Sequence, residues 1–377
     1  GDILITAPLV VVGGDAVIIT GSEGFFGEGN GDSGGITIAA DRIVLNGSID
    51  ASTQTRGRAG SIVLRGGELD MRSDPDAFGV ASIASETTGE GPAGSILLDM
   101  SRGMQIAGIV STETFGAGPG GDVTLRAPSI VIAPGGSVSA ESYDSGAAGR
   151  IAIEGGAVRI DGGRIESAAF ADGAAGSATL RGTRIEVVNG GRIDVSTEAG
   201  GRGGQIDVQA SEAILVSGAN ASRSSSVLSS TAGTGDAGGI LLDAPVVAIL
   251  DGGRVSASSE PGAAGVAGGV RIRAGAFTLG GASAARVESS TAGAGAGGNV
   301  SIGADAIVID ANGLVAATSA GAGAAGAVEL AAAGALAIDG GSVLTSAFDE
   351  GRGGDVLLRG ADIALTGGAS VLAQSLG

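Results

Sequence analysis

Every 26 to 34 residues the chain repeats one phrase: a glycine, a variable residue, then a hydrophobic–x–hydrophobic triplet rich in β-branched side chains. The triplets are anchored at Ile3, Ile36, Ile62, Ile96, Val123, Ile151, Ala178, Ile206, Ile240, Val270, Val300, Val328 and Val356. Thirteen recurrences in 377 residues leave no room for a conventional globular topology. A period in this range marks stacked supersecondary units, each burying its apolar face only against its neighbours.

Within one repeat the anchor triplet reads as a first strand, with Ile62 and Leu64 on one face. A second alternation follows, as in Ile43-Val44-Leu45, Ile130-Val131-Ile132 and Ile307-Val308-Ile309. Next come turn pairs that tolerate positive φ: Asn46-Gly47, Pro134-Gly135, Asp161-Gly162, Asn189-Gly190, Asp251-Gly252 and Asp339-Gly340. A third short strand follows, for example Ser137-Val138-Ser139-Ala140, and a glycine-rich loop returns to the next anchor. The fold class predicted is all-β: a right-handed parallel β-helix of about 13 coils of three short strands, read as one domain over residues 1–377. At about 4.8 Å per coil it would form a rod roughly 60 Å long. Extra length falls in the corners, at Gly21–Ser33, Ser73–Val80 and Ser217–Ser225, because strands must keep register.

Composition bounds the function. Glycine supplies 75 residues, yet regular Ile/Val/Leu triplets give the apolar area a disordered polymer lacks. The formal charge is −19 and every basic residue is Arg, so nucleic acid and anionic membrane surfaces are disfavoured partners. No run of about 18 apolar residues predicts membrane insertion. The chain begins inside a repeat, so no signal peptide is expected at its start. The absence of Cys and His removes thiolate metal sites, His-based triads and His acid–base pairs.

Stacked coils should bring chemically compatible residues together. Three residues past the anchors stand Arg65, Asp99, Arg126, Glu154, Arg181, Gln209, Asp243 and Arg273, a column of largely alternating sign suited to cross-coil pairing. Eight residues before the anchors stand Phe115, Tyr143, Phe170 and Phe348, half of the eight aromatic residues in the chain. Stacked rings covering a corner are the favoured reading, and a glycan-binding strip the sharper one. Phe25 and Phe26, adjacent in the first long loop, read equally as a partner-binding bait or as a cover for the first coils. An inner column of small residues is expected at Ala51, Ser85, Ser111, Ala140, Ser167, Ser229, Ala257 and Ser289. None has a basic partner that would make a serine nucleophile.

Catalytic and metal signatures are lacking. Carboxylates read as dispersed singly over many coils, and Asp74-Pro75-Asp76 reads as a turn. The calcium nonapeptide is not matched, and ion binding by Asp74, Asp76, Glu28 or Asp32 has no supporting pattern. No cofactor and no catalytic residue is expected.

The stretch Ser111–Val123, with Ile130-Val131-Ile132 and Gly135–Ala140 after it, resembles the repeat of filamentous-haemagglutinin-like exoproteins, especially the large glycine-rich surface proteins of two-partner secretion. The resemblance covers essentially the whole chain. It implies a right-handed β-helical passenger, exported unfolded and displayed outside a Gram-negative-type cell as an adhesin or fibre. The family's amino-terminal secretion domain and Asn-rich recognition motif are not found, and no functional residues carry over. The sequence therefore predicts a non-catalytic, extracellular, structural or adhesive segment of a longer shaft. Expected partners are surface glycans or proteins, or further copies of the chain end to end or laterally. The alternatives are a subunit of an end-to-end filament and, less favoured, a β-helical polysaccharide lyase or hydrolase.

Overall fold

The computed structural model describes residues 1–22, 29–72, 79–348 and 351–376. Among them the chain is all-β with no helix, and its parallel sheets stack as a β-solenoid of about 12 turns. It divides into two compact units, residues 1–182 and 183–377.

In the first unit one sheet carries the strands Ile3–Val12, Ile36–Leu45, Ile62–Arg72, Ile96–Ala107, Val123–Ile132 and Arg150–Asp161 in sequence order. A second sheet carries Val17–Ile19, Ser48–Asp50, Ser82–Ala84, Ile109–Ser111, Ser137–Ser139 and Arg164–Glu166. The anchors Ile3, Ile36, Ile62, Ile96, Val123 and Ile151 stand opposite one another in register. In the second unit Ile206, Ile240, Val270, Val300, Val328 and Val356 do the same.

The first two strands expected in each coil are one continuous strand in most coils. They separate only towards the end of the chain, as Val300–Ala304 and Ala306–Ile309, Val328–Ala332 and Ala335–Asp339, and Val356–Arg359 and Asp362–Thr366. The corner between them is a break in the two-residue alternation. In Ile36–Leu45 the side chains of Ile36, Ile38, Ala40, Ile43 and Leu45 are buried, while Asp41 and Arg42 are exposed in succession. Pro128 and Ser129 make the same break in Val123–Ile132. Two outward residues in a row turn the chain without interrupting the ladder, because Ala7 still pairs Ala40 and Ala40 pairs Gly66.

The turn pairs behave largely as expected. Asn189 and Asp251 take φ of 54° and 51°, each followed by a left-handed glycine, and Gly135, Gly162 and Gly340 are left-handed too. Gly47 is not among the positive-φ glycines; it is needed because a Cβ there would meet the carbonyl oxygens of Ala16 and Gly13. The insertion at Ser217–Ser225 folds into a small antiparallel turn, closed by the Ala219–Ser224 bridge and by the Asn220 side chain accepting from the backbone of Ser222 and Arg223.

The glycine of the repeated phrase has a different role, which is close approach. A Cβ on Gly121 would fall inside the carbonyl oxygen of Gly94, and one on Gly149 inside that of Gly121. The serine column adds to this crowding: Ser85 Oγ donates to Gly60 O at 2.5 Å and Ser167 Oγ to Gly149 O at 2.6 Å. Thr112, and not Ser111, occupies this inner column in its coil. Val110 is the inward residue opposite Ile83 and Val138, so the next inward position is 112, and Thr112 Oγ1 donates to Gly121 O at 2.6 Å.

Gly121→Ala should therefore destabilise the fold by about 1–3 kcal/mol, the usual cost of overpacking a fixed backbone. Gly79→Ala, where a Cβ would meet nothing, should leave stability within about 0.5 kcal/mol. Urea denaturation followed by far-ultraviolet circular dichroism compares the two, and equal midpoints would refute the close-approach role.

Candidate functional site

Three of the predicted aromatic residues meet at one corner of the first unit. The backbone N–H of Phe115 donates to Thr87, that of Tyr143 to Thr114 and that of Phe170 to Ser142, so each ring emerges from the same point of successive coils. Phe115 and Tyr143 stack with centroids 4.8 Å apart and planes 6° off parallel; Tyr143 and Phe170 stack at 4.7 Å and 11°. The ring spacing is the coil spacing. Both faces of Tyr143 are consequently covered by its neighbours, and what it offers outward is its edge and hydroxyl. A sugar packs on ring faces, so this stack presents only the outer faces of its two end rings.

Phe348 occupies the same register position in the second unit, its N–H donating to Ser319. Its column neighbours there are Ala320 and Leu376, also placed by equivalent bonds, so the ring has aliphatic neighbours and stays 53% exposed. Phe25 and Phe26 lie outside the described residues, as do Asp74, Asp76 and Glu28. The Asp32 carboxylate accepts the Arg58 backbone N–H at 2.7 Å.

Beside the rings runs a column of carboxyl groups that the sequence reading treated as dispersed. Glu86, Glu113 and Glu141 each stand ten residues before an anchor, immediately before Thr87, Thr114 and Ser142, whose backbones bridge from coil to coil. A separation of 27 or 28 residues along the chain is one coil, so these acids are neighbours in space. Glu86 accepts a short hydrogen bond from the Ser111 hydroxyl of the following coil. Glu113 likewise accepts from Ser139 Oγ at 2.8 Å. The next coil has Glu166 opposite Ser139, where a serine would continue the pattern. Glu141 instead accepts from the Tyr143 hydroxyl at 2.9 Å, and Glu166 lies 3.7 Å from Arg164.

Burial is the main cause of raised carboxyl pKa values here. It pushes Glu86 and Glu113 above the usual range, with nearby carboxylates adding to the effect. Glu141 is pushed up to about 7, first by burial and then by the charges of Glu113 and Glu166, against the Tyr143 hydrogen bond and Arg164. Burial and the same carboxylates also hold the Tyr143 hydroxyl well above its ordinary value. Among the described residues no group of three or more acids is arranged to hold a metal ion.

The alternating charge column pairs in part. Arg126 Nε lies 3.0 Å from Glu154 Oε2, and Arg273 Nη1 lies 3.7 Å from Asp243 Oδ2. These side chains are about half exposed, so each pair contributes at most about 1 kcal/mol. The recurrent Thr and Ser residues of the corner, Thr53, Thr87, Thr114 and Ser142, are buried and do not form a surface array.

The fold and this corner define a β-solenoid whose aromatic and acidic columns are spent largely on neighbouring coils. No protein-family model matches the chain, and neither a curated protein nor a solved structure matches it.

Each stacked pair contributes about 0.5–1.5 kcal/mol beyond the area it covers, so Tyr143→Leu, which breaks two, should cost about 1–3 kcal/mol. Phe348→Leu, with no ring partner, should cost less. Thermal unfolding of the two variants checks the order, and a larger loss at Phe348 would contradict it.

Proposed function

We propose that this chain is a non-catalytic segment of an extracellular, cell-surface β-solenoid, whose role is to supply a stiff, repetitive, displayed surface with structural or adhesive function. The observation that carries the reading is the registered stacking of equivalent residues within each unit, in which ring faces, corner hydroxyls and carboxylates are engaged by the adjacent coil. A chain organised this way gains stiffness from every repeat and commits few groups to chemistry. The acidic surface and the resemblance to filamentous-haemagglutinin-like repeats support an exported, surface-displayed setting. Partners of such a surface are glycans or proteins of another cell, or further copies of the chain.

One observation favours a second reading, a β-helical glycoside hydrolase. Glu113, Glu141 and Glu166 bring carboxyl groups together, and a carboxyl raised by burial beside other carboxyl groups is the kind of setting in which acid–base cleavage of a glycosidic bond takes place. Against it, Glu86, Glu113 and Glu141 each already accept a hydroxyl from the protein.

Beads coated with the full chain, passed over immobilised polysaccharides and cell layers, separate the two. The expected result is retention above that of albumin-coated beads with no release of reducing ends. Reducing-end release that Glu141→Gln abolishes would replace the first reading with the second, and absence of retention on every surface would remove the adhesive role.

A further inference from the structure

The acid column deserves its own explanation, because a stack of coils could place neutral residues there, as Ser52, Ala168 and Ser196 do at equivalent positions. The charged groups acting on Glu141 are Glu113 from the preceding coil and Glu166 and Arg164 from the following one, with Tyr143 on its own coil. Glu86 is faced by Asp50 and Glu113, and Glu113 by Glu166. One arginine therefore stands among these five carboxyl groups, and each of the three glutamates in line has a single hydroxyl donor. Like charges held at one coil spacing and partly removed from water cannot all ionise without strain on the coils that hold them.

We propose that Glu86, Glu113 and Glu141 form a proton-operated latch beside Glu166: protons held along the column keep this corner closed on the Phe115–Tyr143–Phe170 stack, and their loss loosens the corner while each sheet keeps its ladder. The latch goes beyond the surface role proposed above and stands whether or not the solenoid binds a partner.

Its direction follows from linkage. Glu141 holds its proton more tightly in the fold, to about pH 7, than an ordinary carboxyl of 4.5 does in the unfolded chain. The stability it contributes is full below about pH 4.5, declines as the pH rises towards 7, and is gone above it. Mild acid tightens the corner, and alkali opens it.

The chain carries its own reporter. Tyr143 is its only tyrosine and there is no tryptophan, so tyrosine emission comes from this corner alone. Because the Tyr143 hydroxyl is held above its ordinary value, phenolate formation does not intrude below about pH 9. Emission of the full chain should change with a midpoint near pH 7, while the far-ultraviolet spectrum stays constant. Glu141→Gln should abolish the transition. Glu166→Gln, which removes a like charge, should move the midpoint to lower pH, and Arg164→Gln should move it higher. Emission that is flat between about pH 5 and pH 9 in the unaltered chain would overturn the latch, as would a transition that survives unchanged in Glu141→Gln. If Glu141→Gln does not fold, the two flanking variants decide: opposed shifts support the latch, and absent or parallel shifts overturn it.

Discussion

The spacing of a parallel backbone ladder, about 4.8 Å between equivalent residues, governs everything else in this molecule. Once Val123 is hydrogen-bonded into register between Ile96 and Ile151, the rest of each coil must repeat at the same interval. That interval is too short for a Cβ at the closing glycine, which is why the repeated phrase begins with one. It also falls within the centroid separation of about 4.5–7 Å that aromatic pairs prefer, so Phe115, Tyr143 and Phe170 stack without adjusting the backbone. For carboxylates the same interval is uncomfortable. The spacing that rewards rings beside Thr114 and Ser142 penalises the glutamates on the other side of those residues.

Much of this was legible in the sequence, because in a solenoid sequence spacing is spatial spacing. The anchor register needed no correction wherever pairing is seen, and three of the four aromatic residues eight before an anchor stack, Phe348 having aliphatic neighbours instead. The acid column was equally readable: Glu86, Glu113 and Glu141 stand ten residues before three successive anchors. Along the chain these acids are dispersed, and only down the column are they adjacent. The slip at Ser111 has a local cause. Ile109-Val110-Ser111 carries large residues at two successive positions, and only the pairing of Val110 with Ile83 and Val138 settles which one points inward.

What the sequence could not supply is side-chain choice. The turn of Glu141 away from its neighbour's column and onto Tyr143 depends on Glu166 standing where the pattern has serine. Burial, which dominates the carboxyl pKa values, depends on how the corner closes over these groups and leaves no trace in residue spacing. The merging of two expected strands into one is similar, since a double outward step bends the chain without a glycine or proline to mark it at Asp41-Arg42.

The hydroxyls of the inner corner add a polarity to an otherwise repetitive structure. Ser85, Ser167, Ser229 and Ser289 donate to the glycine that closes the preceding coil, at Gly60, Gly149, Gly204 and Gly268. Thr112 and Thr345 donate to Gly121 and Gly354, which close their own coils. A serine coil is thus incomplete at this corner until the coil before it is in place, whereas a threonine coil brings its own acceptor.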